Sequence, residues 1–327
     1  YVLTYKNDQT SLIHNLAGGK GPYEYGIIDW PANMRYGYDM STSARTVINA
    51  YAYSNFVILG KVAAVVGNTQ DQLYFQKESL AIKKAFNQYL LDSSGLYIDG
   101  LDSLNARSKH HSQHANAIAY ALDVTPQKQK KNVITFIKDK KMSLGMITLR
   151  WLPEALGKAN EGQHMVDLYT NITWDGWART IDLGGTVTWE SWKANETNES
   201  MSHPWGAVGL LGIQNYILGI KPLAPQNHLV SISPLWFGDR LTAASGTYTT
   251  DSGNIAIEWS VKNLHYTLKV NIPTNIKAQV SLPYQCSRVI SLNGKKVKGK
   301  KKDNVIDLGE LGSGQHTIIS KIDKNKI

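Results

Sequence analysis

The chain has 327 residues, which is enough for a large hydrophobic core and for two domains. Cys286 is the single cysteine, so an intrachain disulfide is excluded, and the formal net charge at pH 7 is +9. Its apolar runs are shorter than the roughly 18 residues that a membrane-spanning helix needs, so no membrane partner is expected. The compartment stays open, because a protein without disulfides is compatible with either side of a membrane.

The first two thirds of the chain have the three- and four-residue apolar spacing of helices. Residues 44–67, ARTVINAYAYSNFVILGKVAAVVG, place Ile48, Tyr51 and Val62 on this spacing and stop at Gly67, a residue typical of the position just after a helix. Further helices are expected near 72–91, 112–123, 127–140, 143–158, 161–170, 174–182 and 205–219. About eight helices with short connections predict a repeated antiparallel helix hairpin.

After GIKPLAPQ (219–226) the apolar spacing falls to two, which favours β-strands. The candidate strands are LVSISPLW, GTYTTDSG, NIAIEWSV, LHYTLKVNIP, KAQVSLP, SRVISLNG and HTIISKI. Gly, Asn and Pro separate them, as in an antiparallel β-sandwich. We therefore predict an α plus all-β chain of two domains, with a helical domain over 1–222 and a β-sandwich over 223–327.

Much of the positive charge lies in GKKVKGKKKD (294–303), directly after Asn293. The Asn-Gly pair at 293–294 is typical of a tight hairpin turn, and valine alternating with lysine favours a solvated, lysine-protected strand. No recognisable nucleic-acid-binding module accompanies this segment, so nucleic acid is not expected as a partner.

A tryptophan-rich stretch precedes the last predicted helix. Residues 184–206, GGTVTWESWKANETNESMSHPWG, place Glu190 between Trp189 and Trp192 and end near Trp205. Burying a tryptophan demands a shaped hole and a partner for its N–H, so three of them close together indicate a site. Sugars offer flat C–H faces to aromatic rings, and their hydrolysis needs carboxyl groups beside the scissile bond. This stretch therefore points toward carbohydrate chemistry.

Five segments together resemble the bacterial-type α-L-rhamnosidases. They are IIDWPANMRYGYD (27–39), SQHANAIAYAL (112–122), GGTVTWESW (184–192), SMSHPWGAV (201–208) and KPLAP (221–225). Each motif is weak alone, but all five follow the family's order and cover most of the chain. The resemblance implies an (α/α)6 six-hairpin glycosidase domain followed by a C-terminal β-sandwich, with a rhamnoside as substrate and no cofactor.

Carried over residue by residue, the resemblance implies that Glu190 is the general base of an inverting hydrolase. Asp29 and Trp30 match the pocket-lining Asp-Trp pair, and His203 matches a histidine that contacts the substrate. The aromatic Trp189 flanks the base and helps to exclude bulk water. Arg35 and Asp39, in the same loop as Asp29, are weaker candidates for substrate binding.

Structural alternatives stay open for these residues. Glu190 is also compatible with a capping or pairing role inside a loop, and His203 with capping the helix that follows Pro204. Asp29 and Trp30 are compatible with a structural turn. In WDGWAR (174–179), two tryptophans and an aspartate either extend the aromatic wall or start a helix with Asp175.

The cluster HHSQH (110–114) has two histidines four positions apart, a spacing that suits a metal ion on a helix face. No carboxylate or further histidine stands at a supporting spacing. The resemblance implies no catalytic metal either, so we expect none.

One expected element is missing from the motif set. An inverting glycosidase needs two carboxyl groups roughly 6.5 to 9.5 Å apart, and one of them must protonate the leaving oxygen. In the family this general acid precedes the Asp-Trp motif, but Glu24, in PYEYG, is the only glutamate before Trp30 and lacks the family pattern. A six-hairpin ring also needs more helices than the chain supplies. We therefore expect the chain to be the C-terminal part of a longer enzyme, whose preceding part is a partner in the site.

Two alternative functions stay open. One is another six-hairpin carbohydrate enzyme, either a different exo-glycosidase or a lyase with a tyrosine or histidine base. The other is a non-catalytic carbohydrate-binding remnant that uses Trp30, Trp189 and His203 as a lectin-like surface.

Overall fold

The computed structural model describes residues 1–327 and contains eight α-helices. They are α1 Thr46–Val65, α2 Thr69–Ala85, α3 Gln113–Ala121, α4 Lys130–Asp139, α5 Trp151–Lys158, α6 Gly162–Thr170, α7 Trp177–Asp182 and α8 Gly209–Gly212. The predicted number of helices is confirmed. A π turn follows α2 at Phe86–Leu90, and another follows α8 at Ile213–Ile217.

Two predicted helix boundaries are wrong. The helix expected over 143–158 begins only at Trp151, because the preceding segment gives its polar groups to Asp29. The Ile147 N–H and the Thr148 hydroxyl both donate to that carboxylate instead of starting a helical ladder. The helix expected over 205–219 is divided into a 3₁₀ turn at Pro204–Val208, the short α8 and the π turn.

Local sequence explains the first helix hairpin. Helix α1 ends at Val65, and Gly67 takes a φ of +76°, a conformation that costs glycine little. Asn68 then caps α2 by accepting a 3.0 Å hydrogen bond from the Asp71 N–H. Phe56 of α1 stacks on Phe75 of α2, with ring centroids 6.1 Å apart. The hairpin is thus closed by a turn signal at one end and apolar packing along its length.

Thirteen β-strands are present. They are β1 Ala44–Arg45, β2 Gly100–Leu101, β3 Ile220–Pro222, β4 Leu229–Ile232, β5 Ala243–Thr250, β6 Gly253–Lys262, β7 His265–Ile272, β8 Lys277–Pro283, β9 Cys286–Leu292, β10 Lys295–Lys298, β11 Lys300–Lys302, β12 Val305–Leu311 and β13 Gly314–Ile322. Strands β1 and β2 form a two-stranded sheet. The others form a six-stranded sheet, β10-β9-β13-β7-β6-β5, and a five-stranded sheet, β11-β12-β8-β4-β3.

The predicted antiparallel order holds for every pair except β4 and β8, which are parallel. The chain leaves β4, forms β5–β7 in the other sheet, and then returns as β8 alongside β4. Strand β12 was not predicted, since a bulge between Asp307 and Gly309 breaks its alternation. The predicted hairpin at Asn293 and Gly294 is confirmed, and both residues take positive φ angles.

Alternating burial gives the six-stranded sheet one apolar face. Along β6, Ile255, Ile257 and Trp259 are buried while their neighbours are exposed or half-buried. The Trp259 ring stacks between those of Phe237 and Tyr266, with centroid distances of 5.5 and 5.9 Å. Its indole N–H donates to the Ile217 carbonyl, so the large side chain is both packed and hydrogen-bonded.

The chain divides into two compact units. The first contains Tyr1–Ala155 and Asn171–Ala207, and the second contains Leu156–Thr170 and Val208–Ile327. Helices α6 and α8 therefore belong with the two large sheets. None of the helices is both long and apolar enough to cross a bilayer.

Candidate functional site

Trp30 and Glu190 meet in the first unit, although they are far apart in sequence. The indole N–H of Trp30 donates a 2.9 Å hydrogen bond to Glu190 Oε1. The other carboxylate oxygen, Oε2, accepts a 2.9 Å hydrogen bond from the Ser200 N–H. Trp30 keeps 36% of its surface exposed, so one wall of the site is an accessible indole. The carboxylate is held by two donors at the edge of that wall.

Three neighbours lower the pKa of Glu190 below its ordinary value. The largest effect is the hydrogen bond from the Ser200 N–H, followed by the indole N–H of Trp30 and the charge of His203. Partial burial opposes them and favours the protonated form. Because the lowering effects dominate, Glu190 is ionised at neutral pH, the form that can accept a proton.

His203 is fixed in the loop by three hydrogen bonds. Its backbone exchanges two with Thr188, and its ring Nδ1 accepts one of 3.2 Å from the Trp205 N–H. Because Nδ1 is an acceptor here, the neutral ring carries its proton on Nε2. The His203 ring therefore caps the 3₁₀ turn at Pro204–Val208, since Trp205 lies in that turn. It leaves Nε2 available as a donor.

Asp29 is fully buried behind the exposed Trp30. Its Oδ1 accepts hydrogen bonds from the backbone N–H groups of Trp30 and Ile147, at 3.0 and 3.1 Å. Its Oδ2 accepts from the Thr148 hydroxyl and faces His114 Nε2 at 3.2 Å. Asp29 thus joins the Trp30 loop to the segment that contains Ile147 and Thr148, and it positions this loop.

Arg35 also lies behind the wall, with only 7% of its surface exposed. Its Nε donates to the Asp29 carbonyl at 3.3 Å, and its guanidinium lies 4.9 Å from the centre of the Tyr23 ring. The Tyr23 ring in turn contacts that of Trp30, with centroids 5.9 Å apart. Arg35 thus supports the rings of Tyr23 and Trp30 from their buried side. Asp39 accepts from the hydroxyl of Ser41, in its own loop, and from that of Ser108, 69 positions away in sequence.

Trp189 is buried, with 3% of its surface exposed. It lines a small apolar cavity of about 190 Å³ together with Trp177 and Trp192. The indole N–H groups of Trp177 and Trp192 donate to the carbonyls of Gly206 and Leu144, respectively. These tryptophans therefore stiffen the loop that carries Glu190.

The structure adds one contact that the sequence did not indicate. The Tyr36 hydroxyl donates a 2.6 Å hydrogen bond to Asp175 Oδ2, across 139 positions of sequence. Burial, and then the nearby charge of Asp175, raise the pKa of Tyr36. Asp175 does not start α7, because the residue before that helix is Gly176 and no side chain caps it. No sequence pattern links these two residues.

The three histidines of HHSQH bind three different aspartates instead of converging. His110 pairs with Asp99 at 2.6 Å, and His111 pairs with Asp92 at 2.7 Å. His114 faces Asp29, as described above. The chain contains no group of three or more His, Cys, Asp or Glu side chains arranged to hold a metal ion.

Comparison with known proteins places this geometry in a class. The family described as the bacterial alpha-L-rhamnosidase 6 hairpin glycosidase domain matches residues 5–211. The bacterial alpha-L-rhamnosidase C-terminal domain matches residues 219–296. The helices and the two large sheets are therefore those of a six-hairpin glycosidase domain followed by a C-terminal sheet domain. The chain belongs to the bacterial α-L-rhamnosidase six-hairpin glycosidase family.

Two curated relatives are named alpha-L-rhamnosidase. That of Formosa agariphila is 25% identical over 278 residues, covering 79% of this chain and 29% of the relative. That of Alteromonas sp. (strain LOR) is 26% identical over 275 residues, covering 80% and 29%. The chain thus spans less than a third of the length of these relatives.

Solved structures share the fold. The α-L-rhamnosidase of Streptomyces avermitilis, solved with L-rhamnose, has a TM-score of 0.74 and 21% identity over 98% of this chain and 29% of its own. That of Dictyoglumus thermophilum has a TM-score of 0.73 and 20% identity, over 83% of this chain and 31% of its own. At these identities the likeness establishes the fold alone.

Proposed function

We propose that this chain carries the general base of a glycoside hydrolase that removes terminal α-L-rhamnose with inversion at the anomeric carbon. The observation that carries the proposal is the Glu190 carboxylate, ionised and held by Trp30 and the Ser200 N–H. Membership of the α-L-rhamnosidase family supplies the substrate class.

In the proposed step, Glu190 accepts a proton from a water molecule on the face of the sugar opposite the leaving group. The water oxygen bonds to the anomeric carbon while the glycosidic C–O bond breaks, and a separate acid protonates the departing oxygen. The lowered pKa of Glu190 keeps the base unprotonated at neutral pH, the form that this step requires.

The neighbours of Glu190 suit a sugar. The exposed indole of Trp30 provides an apolar surface for the C–H groups and methyl group of rhamnose. The Nε2–H of His203 is available to donate to a sugar hydroxyl. Asp29, Arg35 and Trp189 are buried in this structure, and we propose that they act on the substrate by positioning Trp30 and Glu190.

We propose that the general acid lies in a segment that these 327 residues do not include. Asp29 is enclosed by its own donors, and Asp175 is bound to Tyr36. Glu24 is exposed directly after the 3₁₀ turn at Gly21–Tyr23, outside any family motif. The relatives are more than three times as long as the matched region. All of the proposed site residues precede residue 222, where we place the boundary of the catalytic part.

The test uses aryl and alkyl α-L-rhamnosides, assayed with the chain alone and with a preceding family segment added in trans. We expect negligible alkyl rhamnoside hydrolysis by the chain alone, since a positioned proton donor typically contributes about 10² to 10⁴-fold. NMR of the first-formed sugar should show the β-anomer of L-rhamnose. Full turnover of the alkyl substrate by the chain alone contradicts the missing acid, and the α-anomer contradicts inversion.

The same assay separates the alternatives. An eliminating lyase would give an unsaturated product that absorbs far-ultraviolet light, and it would not depend on Glu190. Sugar binding without turnover, even with the added segment, would favour a non-catalytic carbohydrate-binding role.

A further inference from the structure

Trp205 is an exposed tryptophan near the proposed base. It keeps 37% of its surface exposed, whereas Trp189 and Trp192 each keep 3%. The indole N–H of Trp192 donates to a backbone carbonyl, and that of Trp30 donates to Glu190. The indole N–H of Trp205 donates to no group of the chain. An aromatic surface and a hydrogen-bond donor are therefore both accessible at this position.

The backbone holds Trp205 beside the loop that carries the base. The hydroxyl of Thr188, two residues before Glu190, donates to the His203 carbonyl at 2.7 Å. The His203 N–H donates to the Thr188 carbonyl at 2.8 Å. Gly206 packs so closely on this pair that a Cβ atom there would lie 2.8 Å from Thr188 Cβ. The two segments therefore lie side by side, and the backbone of Trp205 is positioned before any ligand binds.

The rings of His203 and Trp205 are in contact, with centroids 4.4 Å apart and an angle of 65° between their planes. His203 in turn lies close enough to Glu190 for its charge to lower the pKa of that carboxylate. Trp30 donates to the same carboxylate. The four side chains therefore form one group, which Trp205 joins through His203.

The chemistry of the proposed reaction limits what Trp205 can contact. A terminal rhamnose is joined to the rest of its substrate only through its anomeric carbon. With rhamnose held beside Glu190 by Trp30, a further ring that stacks on Trp205 belongs to the leaving group. An exposed indole suits the C–H face of a second sugar ring, and its N–H suits a hydroxyl of that sugar.

We propose that Trp205 forms a subsite for a leaving-group sugar, in which the pyranose ring linked directly to rhamnose stacks on the indole. This inference rests on the proposed function, because it takes the position of rhamnose from Glu190 and Trp30. It makes Trp205 a specificity-determining residue. Substrates whose leaving group is a sugar gain affinity from the indole, and substrates with a methyl leaving group do not.

The test is a ligand-observed NMR titration of the chain carrying Glu190→Gln, which removes the proposed base and so prevents turnover. The two ligands are methyl α-L-rhamnoside and a disaccharide in which α-L-rhamnose is linked to glucose. The disaccharide should bind roughly three- to tenfold more tightly than the methyl glycoside, and Trp205→Ala should remove this difference. Alanine keeps the backbone N–H that donates to the His203 ring, so the turn remains capped.

Two further variants separate stacking from other effects. Trp205→Phe keeps a flat ring but lacks the indole N–H, so it should retain most of the difference between the two sugars. Tyr74→Ala removes an exposed aromatic ring from α2 in the same compact unit, and it should retain the whole difference. A loss in Tyr74→Ala equal to that in Trp205→Ala would place the disaccharide elsewhere and overturn the proposal.

Equal affinity of the two sugars for the Glu190→Gln chain overturns the subsite. Equal weakening of both sugars by Trp205→Ala also overturns it, because the indole would then contact rhamnose itself. In either case the proposed hydrolysis stands if methyl α-L-rhamnoside still binds. Failure of the proposed function has different signs, which are no binding of methyl α-L-rhamnoside, or unchanged hydrolysis by Glu190→Gln in the presence of the added segment.

Discussion

The indole N–H of Trp30 and the Glu190 carboxylate form a 2.9 Å hydrogen bond between two loops of the first compact unit. This contact joins the exposed Trp30 indole, which is the proposed sugar-binding surface, to the proposed base through a single donor. It orients the carboxylate and also stabilises its charged form. The wall and the base are therefore coupled, and a change in one should be measurable in the other.

Trp30→Phe keeps an aromatic ring but removes the donor to Glu190. The pKa of Glu190 should rise, so the acidic limb of the pH–rate profile should move to higher pH in the chain assayed with the added segment. The base form is present above this pKa and is lost as pH falls through it. Trp236→Phe, in the other unit, should leave the limb in place. An unshifted limb in Trp30→Phe would show that the hydrogen bond does not control the ionisation of Glu190.

Glu190→Gln should lower kcat by about 10² to 10⁴-fold in the same assay, because an amide cannot accept the proton of the attacking water. Rhamnose binding should change much less, since the single amide oxygen still accepts one of the two hydrogen bonds that Trp30 and Ser200 donate to Glu190. Glu196→Gln, an exposed glutamate in the same loop, is the matched control. Comparable losses in both variants would point to loop disruption rather than to a base.

Asp29→Asn should lower the free energy of unfolding by about 3 kcal/mol. The new amide group would face donors on at least one side of a fully buried position, where the carboxylate accepts from Ile147 and Thr148. Urea unfolding followed by tryptophan fluorescence measures the loss. Asp175→Asn, at a half-buried position, should cost about 1 kcal/mol or less. Equal losses of unfolding free energy in the two variants would mean that the buried hydrogen bonds of Asp29 stabilise the fold no more than the contact of Asp175 does.

His110 should make stability depend on pH. The hydrogen bond to Asp99, opposed in part by burial, raises the pKa of His110 in the folded state. Its contribution is fully present below the unfolded value of about 6.5 and is lost as pH rises through the folded pKa. His110→Asn should therefore lower the melting temperature more at about pH 5.5 than at about pH 9. A loss that is equal at the two pH values would argue against a charged pair.

Sequence patterns predicted the parts of the fold that depend on local chemistry. Gly67, the Asn293-Gly294 turn and the alternation of β6 follow from backbone freedom and periodic burial, and all are present. The late start of α5 was missed because it depends on Asp29, a side chain 118 positions away from Ile147. Local propensity carries no information about such a partner.

The same limit applies to the site. Motif resemblance selected Trp30, Glu190 and His203, and the structure brings Trp30 to Glu190. The resemblance did not show that Asp29 and Arg35 are buried behind the Trp30 indole, since motifs record which residues occur and not which way they face. The Tyr36 and Asp175 pair was missed for a related reason, because each residue is unremarkable within its own segment.

The lysine-rich run near the C-terminus has a consequence for association between molecules. Strand β10 is the outer strand of the six-stranded sheet and β11 is the outer strand of the five-stranded sheet, with Gly299 between them. One short run of sequence therefore covers an open edge of each sheet. Repulsion between lysines disfavours the addition of a strand from a second molecule at either edge. At high protein concentration, this single segment should therefore oppose edge-to-edge polymerisation at one edge of both sheets.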